Sequence, residues 1–146
     1  ISTQINRKLY ADNRQFLDSN IDVATFNQEV LLTGQVATRA QRSLLENIAK
    51  ATPDVTHVYN LTEVSPPTPA LKRASDAWIT TKVKSQLIAM NEIDPNKIKV
   101  ITENGTVYLM GMVMQDQADI AIDIARNTDG VERVVKMFTY LRPSKV

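Results

Sequence analysis

The sequence predicts an α+β protein made of two small domains of one fold in tandem. Three observations support this prediction: a pattern that occurs twice, a change of hydrophobic period within each copy, and a proline-rich stretch between the copies. The chain has 146 residues, which is enough for two such domains. Each domain is predicted to have the order αββαβ, with a three-stranded mixed sheet packed on two helices.

The repeat is clearest in two pairs of stretches. The first pair is IDVATFNQEVLLTGQV (21–36) and IKVITENGTVYLMGMV (98–113), at an offset of 77 residues. The second pair is IAKATPDVTHV (48–58) and IARNTDGVERV (124–134), at an offset of 76. An offset of 78 aligns the apolar residues of two opening helices, Ile1, Ile5 and Leu9 with Ile79, Val83 and Leu87.

The copies are separated by VSPPTPALKRAS, which has three prolines in four positions and suits an extended linker. We therefore expect a first domain at 1–64, a proline-rich linker at 65–74, a second domain at 75–141 and a tail at 142–146.

Two helices are predicted in each copy. The first copy opens with a helix at 1–16, and the second with a helix at 75–90, for which Ser75 or Asp76 is available as N-cap. The second of these helices has an apolar stripe made by Ile79, Val83, Leu87 and Met90. In the same copy, Asp129-Gly130 is expected to end the second helix.

Three strands are predicted in each copy. In the second copy, IKVIT and TVYLMGMV alternate as strands joined by Asn104-Gly105, a favoured two-residue hairpin turn, and VERVVKMFTYL is the last strand. The first copy has the same plan, although its turn at Asn27 lacks a glycine. Gly34 and Gly111 lie in mid-strand, where glycine costs stability, so we expect a helix backbone to pass close to each of them.

Composition and charge exclude several function classes. The net charge of +1 argues against a protein dedicated to nucleic acid. Without cysteine, the chain has no disulfide, no thiolate zinc site and no cysteine nucleophile. The single histidine, His57, lies in a predicted strand with no inferable partner, and no set of side chains has a credible catalytic spacing. We therefore assign no catalytic residue, no metal ligand and no cofactor.

The repeated pattern resembles the BON domain. The resemblance rests on a strand ending VLLTGQV or VYLMGMV, a helix containing IA, and then DVTHV or GVERV. It occurs twice and covers nearly the whole chain. The stretch AWITTKVKSQL, followed by KVITENGTVYLMGMV, is similar to the second domain of the dual-BON outer-membrane lipoproteins of Gram-negative bacteria, the DolP type.

The resemblance implies a periplasmic protein without catalytic activity, tethered to the outer membrane by a lipidated cysteine. The chain begins at Ile1 without Met and contains no signal peptide, so that cysteine is expected upstream. The resemblance further implies a role in outer-membrane integrity at division sites. It also implies binding of anionic phospholipid, phosphatidylglycerol or cardiolipin, through the first helix of the second domain. The opening helix of the first copy has no tryptophan, so lipid binding is not extended to it.

Trp78 is the only tryptophan and lies one residue off the apolar stripe of its helix. A tryptophan beside lysines suits a bilayer interface, where each lysine near an anionic surface contributes roughly 1 kcal/mol. The alternative is that the ring closes the edge of the small core or packs on the linker. The candidate lipid-binding residues are Trp78, Thr81, Lys82, Lys84, Ser85 and Ala89.

A second candidate surface is the outward face of the middle strand of the second copy. It carries Tyr108, Met110, Met112 and Met114, an apolar set that is not expected to stay bare. We expect this face to pack against the first domain or to dock an envelope protein, which gives a protein-interaction module as the alternative function. A third hypothesis, cation sensing, has only three candidate ligands, for which solvation is the better explanation: Asp116, Asp119 and Asp123.

Overall fold

The computed structural model describes residues 1–10, 16 and 19–142, and the chain forms two compact units, Ile1–Pro69 and Ala70–Val146. The elements of the first unit are α1 (Ser2–Tyr10), β1 (Asn20–Phe26), β2 (Glu29–Val36), α2 (Arg39–Ala51), β3 (His57–Asn60) and β4 (Glu63–Val64). Those of the second unit are α3 (Ala70–Ile88), a 3₁₀ turn (Pro95–Lys97), β5 (Ile98–Glu103), β6 (Thr106–Val113), α4 (Gln115–Arg126) and β7 (Arg133–Tyr140). The α+β class is confirmed, and the order αββαβ holds in both units, except that the first unit ends with the additional short strand β4 and so has a four-stranded sheet.

Both sheets are mixed, with the hairpin's second strand in the middle. In the first unit β2 pairs with β1 antiparallel and with β3 and β4 in parallel. In the second unit β6 pairs with β5 antiparallel and with β7 in parallel. A parallel neighbour requires a crossover connection, and α2 and α4 supply it.

One core lies in each unit, between the sheet and its two helices. In the second unit the core is built from apolar residues of α3, β6 and α4, chiefly Ile79, Val83, Leu87, Val107, Leu109, Val113, Ala118, Ala121 and Ala125. The three alanines lie on one side of α4, so that helix packs closely on the sheet. The first unit repeats the arrangement with Ile5, Leu9, Val30, Leu32, Val36, Leu45 and Ala49.

The two hairpin turns have the same backbone conformation although only one contains glycine. Asn104 and Gly105 have φ of 51° and 80°, and Asn27 and Gln28 have φ of 50° and 64°. Two successive residues with positive φ are the requirement of the type I′ turn, whose twist matches that of the flanking strands. Gln28 therefore takes a conformation that is costly for a residue with a Cβ.

The close neighbours of Gly34 and Gly111 differ from the prediction. A Cβ on Gly34 would collide with the backbone oxygen of Asn20, and one on Gly111 with the backbone oxygen of Lys97. The crowding therefore comes from the chain at the start of the paired strand, and the expectation of a helix backbone was wrong.

The last strand of the first unit is broken, whereas the sequence predicted one strand. Arg42 of α2 fills the break: its guanidinium donates to Asn60 O at 2.6 Å and to Thr62 O at 3.0 Å. The Asn60 amide donates back to Arg42 O at 3.0 Å. At the offset of 76, Ala118 takes the place of Arg42, and β7 runs unbroken for eight residues.

The opening helix of the second unit begins earlier than predicted. It starts at Ala70, so 70–74 are helical and not part of an extended linker, and Ser75 and Asp76 lie inside the helix and cannot be its N-cap. Residues 65–69 pack on the first unit, where Thr68 N–H donates to the Gln35 side chain at 2.7 Å. The predicted first helix at 1–16 corresponds to α1 for 2–10, while 11–15 and most of the tail lie outside the described residues.

Candidate membrane-binding surface

Helix α3 has two apolar sides, only one of which faces the core. Ile79, Val83 and Leu87 are buried, as the predicted stripe required. Leu71 is 85% exposed, and Trp78 and Ile88 are each 63% exposed. Large apolar side chains exposed along one helix need a partner or a membrane to cover them. The high exposure of Trp78 also argues against the alternative in which its ring closes the core.

The acidic residue of α3 is buried, whereas its basic residues are exposed or half-buried. The helix contains four basic residues and one acidic residue, Lys72, Arg73, Lys82, Lys84 and Asp76. Asp76 is only 3% exposed, and its two carboxylate oxygens accept from the backbone N–H groups of Asn104 at 2.7 Å and Gly105 at 2.9 Å. Because the one carboxylate is turned inward onto the β5–β6 turn, the exposed side of α3 carries only positive charge.

No basic residue of α3 has an ion-pair partner among the described residues, where the salt bridges are Lys50–Glu46 and Arg126–Asp123. The four cations are therefore not neutralised by a carboxylate at close range. A cationic surface of this kind attracts anions, and the attraction is strongest at low ionic strength.

Lys82 links the tryptophan to the body of the second unit. Its ammonium donates to Asp129 O at 3.1 Å and lies 6.0 Å from the centre of the Trp78 ring. That separation is at the limit of a cation–π contact. The ring is thus held beside a positive charge on an exposed helix, which is the arrangement expected of an interfacial tryptophan.

The remaining predicted residues lie on the same exposed side. Thr81 and Ser85 direct their hydroxyls to the carbonyls of the preceding turn, Ala77 O at 3.1 Å and Thr81 O at 2.8 Å. Lys84 is exposed in the helix, and Ala89 is exposed just after it. The structure therefore brings the six candidate residues together along α3.

Two apolar residues of this surface were missed. Leu71 was assigned to the linker, although its spacing of seven residues from Trp78 would place both on one helix face. Ile88 follows the core residue Leu87 and belongs to no run that the hydrophobic period singles out. We define the membrane face by seven exposed residues and the half-buried Lys82; the exposed residues are Leu71, Trp78, Thr81, Lys84, Ser85, Ile88 and Ala89.

The repeat does not provide a counterpart for Trp78. At the offset that aligns Ile79 with Ile1, the position equivalent to Trp78 precedes Ile1. The lack of tryptophan in α1 is therefore no evidence on whether the fold requires this ring. The exposure of the ring provides that evidence instead.

The methionine face of β6 is only partly accessible. Met110 is 1% exposed, while Tyr108, Met112 and Met114 are half-buried. Met110 therefore offers no area for docking. The contact with a partner or with the first domain stays a prediction.

The carboxylates proposed for cation sensing have separate contacts. Asp119 accepts from the Gln115 amide at 3.0 Å, and Asp123 lies 3.9 Å from Arg126. Within the described residues, Asp116 and these two form no group that could hold a metal ion. His57 is exposed on β3 with its ring centre 4.2 Å from that of Tyr59.

None of the helices in the described ranges combines the length and the apolar character needed to cross a bilayer.

These features define a tandem α+β protein with one cationic, aromatic helix face. The BON domain model matches residues 1–66 and 75–142, one copy in each unit, and the chain belongs to the BON-domain family. It is 38% identical over 125 residues to the 21 kDa hemolysin of Actinobacillus pleuropneumoniae, covering 86% of this chain and 64% of that protein.

Two further relatives have similar coverage. Outer membrane lipoprotein DolP of Haemophilus influenzae is 38% identical over 124 residues, covering 85% of this chain and 64% of that protein. Osmotically-inducible protein Y of Escherichia coli is 32% identical over 126 residues, covering 84% and 63%. The chain thus spans less than two thirds of the length of these three relatives.

Proposed function

We propose that this protein is a non-enzymatic envelope protein whose second BON domain binds anionic phospholipid through α3. The observation that supports the proposal most strongly is the segregation of charge on that helix. The four cations lie outside the core, whereas the only carboxylate, Asp76, is buried against the hairpin turn. A zwitterionic membrane has no net charge, so an excess of exposed cations would not strengthen binding to it.

We also propose a cellular location for the protein. One relative is named an outer membrane lipoprotein, and we propose a periplasmic protein anchored in the same membrane by a lipidated cysteine. An anchor would hold α3 close to the bilayer, so weak binding by the helix would suffice. Support of outer-membrane integrity, at division sites, is the role that we propose for the bound protein.

The expected affinity of α3 alone is modest. The membrane face holds two cations, Lys82 and Lys84, and these, at roughly 1 kcal/mol each, together with one interfacial ring give reversible adsorption. The Lys82 ammonium is occupied by its bond to Asp129 O and lies beside the Trp78 ring, so we expect Lys84 to be the cation that responds most to anionic lipid. Phosphatidylglycerol and cardiolipin are the lipids that this surface would select.

Trp78 gives a direct test because it is the only tryptophan of the chain. Vesicles of phosphatidylglycerol should shift its fluorescence to the blue, while phosphatidylcholine vesicles should leave it unchanged. Lys84→Glu should weaken phosphatidylglycerol binding about tenfold, since it replaces an attraction of roughly 1 kcal/mol by a repulsion. The matched control is Lys136→Glu, an exposed change of the same charge on β7.

The lipid proposal is wrong if phosphatidylglycerol gives no blue shift and Lys84→Glu binds vesicles as well as the unmodified protein does. Equal losses in Lys84→Glu and Lys136→Glu would show attraction by total charge, without a specific helix face.

A further inference from the structure

A groove of about 220 Å³ lies in the second unit, between the C-terminal turns of α3 and β5. Its floor is apolar and includes the buried residues Leu87, Ile98 and Val100. Ile88 forms part of one wall, and Lys84 and Lys99 lie at the groove with exposed side chains. The groove therefore begins where the membrane face of α3 ends.

The chemistry of the lining selects among ligands. It contains two lysines and no acidic side chain, so it favours an anion. A free inorganic anion would make no favourable contact with the apolar floor, and an uncharged hydrocarbon chain would make none with the lysine ammoniums. The lining fits a molecule with an anionic group joined to a hydrocarbon chain.

The size of the groove limits how much of such a molecule it can hold. Pockets for whole drug-sized ligands measure about 300–1,000 Å³. A groove of about 220 Å³ is smaller, so it suits the first part of a single acyl chain.

We propose that this groove binds one anionic amphiphile, with the start of an acyl chain on Leu87, Ile98 and Val100 and the phosphate beside Lys84 and Lys99. The inference rests on the proposed function, because Lys84 and Ile88 belong to both surfaces. It adds a discrete, saturable site to adsorption by α3, and it brings in Lys99 from a different element. A single lipid drawn into the groove would hold α3 in a fixed orientation on the bilayer.

Non-specific adsorption and a discrete site in the groove predict different effects of mutating two neighbouring lysines. Lys97 and Lys99 are both exposed and two residues apart, but only Lys99 lines the groove. If binding depends only on the overall electrostatic field, reversing either charge should weaken it equally. If the ligand binds in the groove, reversing the charge of Lys99 should weaken binding much more than reversing that of Lys97.

The test is a titration of the whole chain with monomeric octyl phosphate, kept below its micelle-forming concentration and followed by amide NMR shifts. We expect saturable one-to-one binding, with shifts at Lys84, Ile88, Lys99 and Val100. Inorganic phosphate should produce no saturable shift at Val100. Lys99→Glu should weaken octyl phosphate binding roughly fivefold or more, and Lys97→Glu should change it less than twofold.

Three outcomes would overturn the groove proposal: no saturable shift with octyl phosphate, equal effects of Lys97→Glu and Lys99→Glu, or equal binding of inorganic phosphate. The last of these would show a simple anion site. Sedimentation of the same variants with phosphatidylglycerol vesicles separates the two proposals. If Lys99→Glu loses octyl phosphate binding but binds vesicles with unweakened affinity, the groove proposal is contradicted and the proposed function is not. If the unmodified chain does not bind vesicles, the proposed function is contradicted.

Discussion

Asp76 shows how one residue can serve the fold and the surface together. It is the only acidic residue of α3, and it is buried with both carboxylate oxygens on the N–H groups of the β5–β6 turn. A hydrogen bond to a carboxylate stabilises a fold more than a hydrogen bond to a neutral acceptor does. Asp76 fixes the first half of α3 to the hairpin and keeps the one negative charge of the helix away from the membrane face.

We expect Asp76→Asn to destabilise the second unit by about 1.5–3 kcal/mol, because an NH2 group replaces one of the two accepting oxygens and the side chain loses its charge. Urea unfolding followed by circular dichroism measures the change. Asp119→Asn, an exposed change on α4, is the control and should cost less than about 0.5 kcal/mol. Equal losses in the two variants would contradict the role assigned to Asp76.

Gly34 and Gly111, the two mid-strand glycines, can be compared directly because they occupy equivalent positions of the repeat. Both are crowded by the oxygen at the start of the paired strand, but Gly34 also has a φ of 109°, while Gly111 does not have a positive φ. Gly111→Ala should therefore cost about 1–3 kcal/mol through overpacking. Gly34→Ala should cost about 1–3 kcal/mol more, because it adds backbone strain. Thermal unfolding of both variants gives the order, and a less stable Gly111→Ala would contradict this explanation.

At the scale of elements, hydrophobic period and turn chemistry predicted most of the fold. The stripe Ile79, Val83 and Leu87 and the turn Asn104-Gly105 are local signals, and the structure has both. The early start of α3 could not be read in the same way. Residues 70–74 follow three prolines and contribute no buried side chain, so the core stripe does not extend to them, and the spacing of Leu71 and Trp78 is their one apolar sign of a helix.

The break between β3 and β4 was also beyond local signals. It depends on Arg42, which is distant in sequence from Asn60 and Thr62 and meets them only after α2 packs on the sheet. The repeat could have indicated a difference at this point, since Ala118 stands where the first copy has Arg42. A lone arginine on a helix is not, by itself, a signal of a bonded strand edge.

We expect Arg42→Ala to destabilise the first unit by about 2–4 kcal/mol, because the carbonyls of Asn60 and Thr62 lose their charged donor. Hydrogen exchange at the amides of β3 should rise in this variant, while exchange at β7 should not. Arg39→Ala, an exposed change on the first turn of α2, is the control. Unchanged exchange at β3 in Arg42→Ala would show that the break needs no arginine.

At the scale of the whole molecule, the candidate site was predictable in part. Trp78 and the lysines are rare or clustered enough to be noticed, and the exposed helix face includes them. Ile88, Lys99 and the inward turn of Asp76 could not be assigned, because each depends on which surfaces the fold leaves open. The overall composition does not indicate this surface, because the chain has a net charge of only +1 although α3 has four basic residues and one acidic residue.

Local charge, and not total charge, should therefore govern membrane binding. Lys84→Glu and Lys50→Glu both lower the net charge from +1 to −1, but only Lys84 belongs to the membrane face, while Lys50 lies on α2 and pairs with Glu46. We expect the first to weaken binding to phosphatidylglycerol vesicles about tenfold and the second to leave it nearly unchanged. Raising the salt from about 0.1 M to about 1 M shortens the screening length from about 10 Å to about 3 Å, which should release the unmodified protein. Vesicle sedimentation measures each affinity, and equal losses in the two variants, or binding that resists salt, would contradict a surface built on α3.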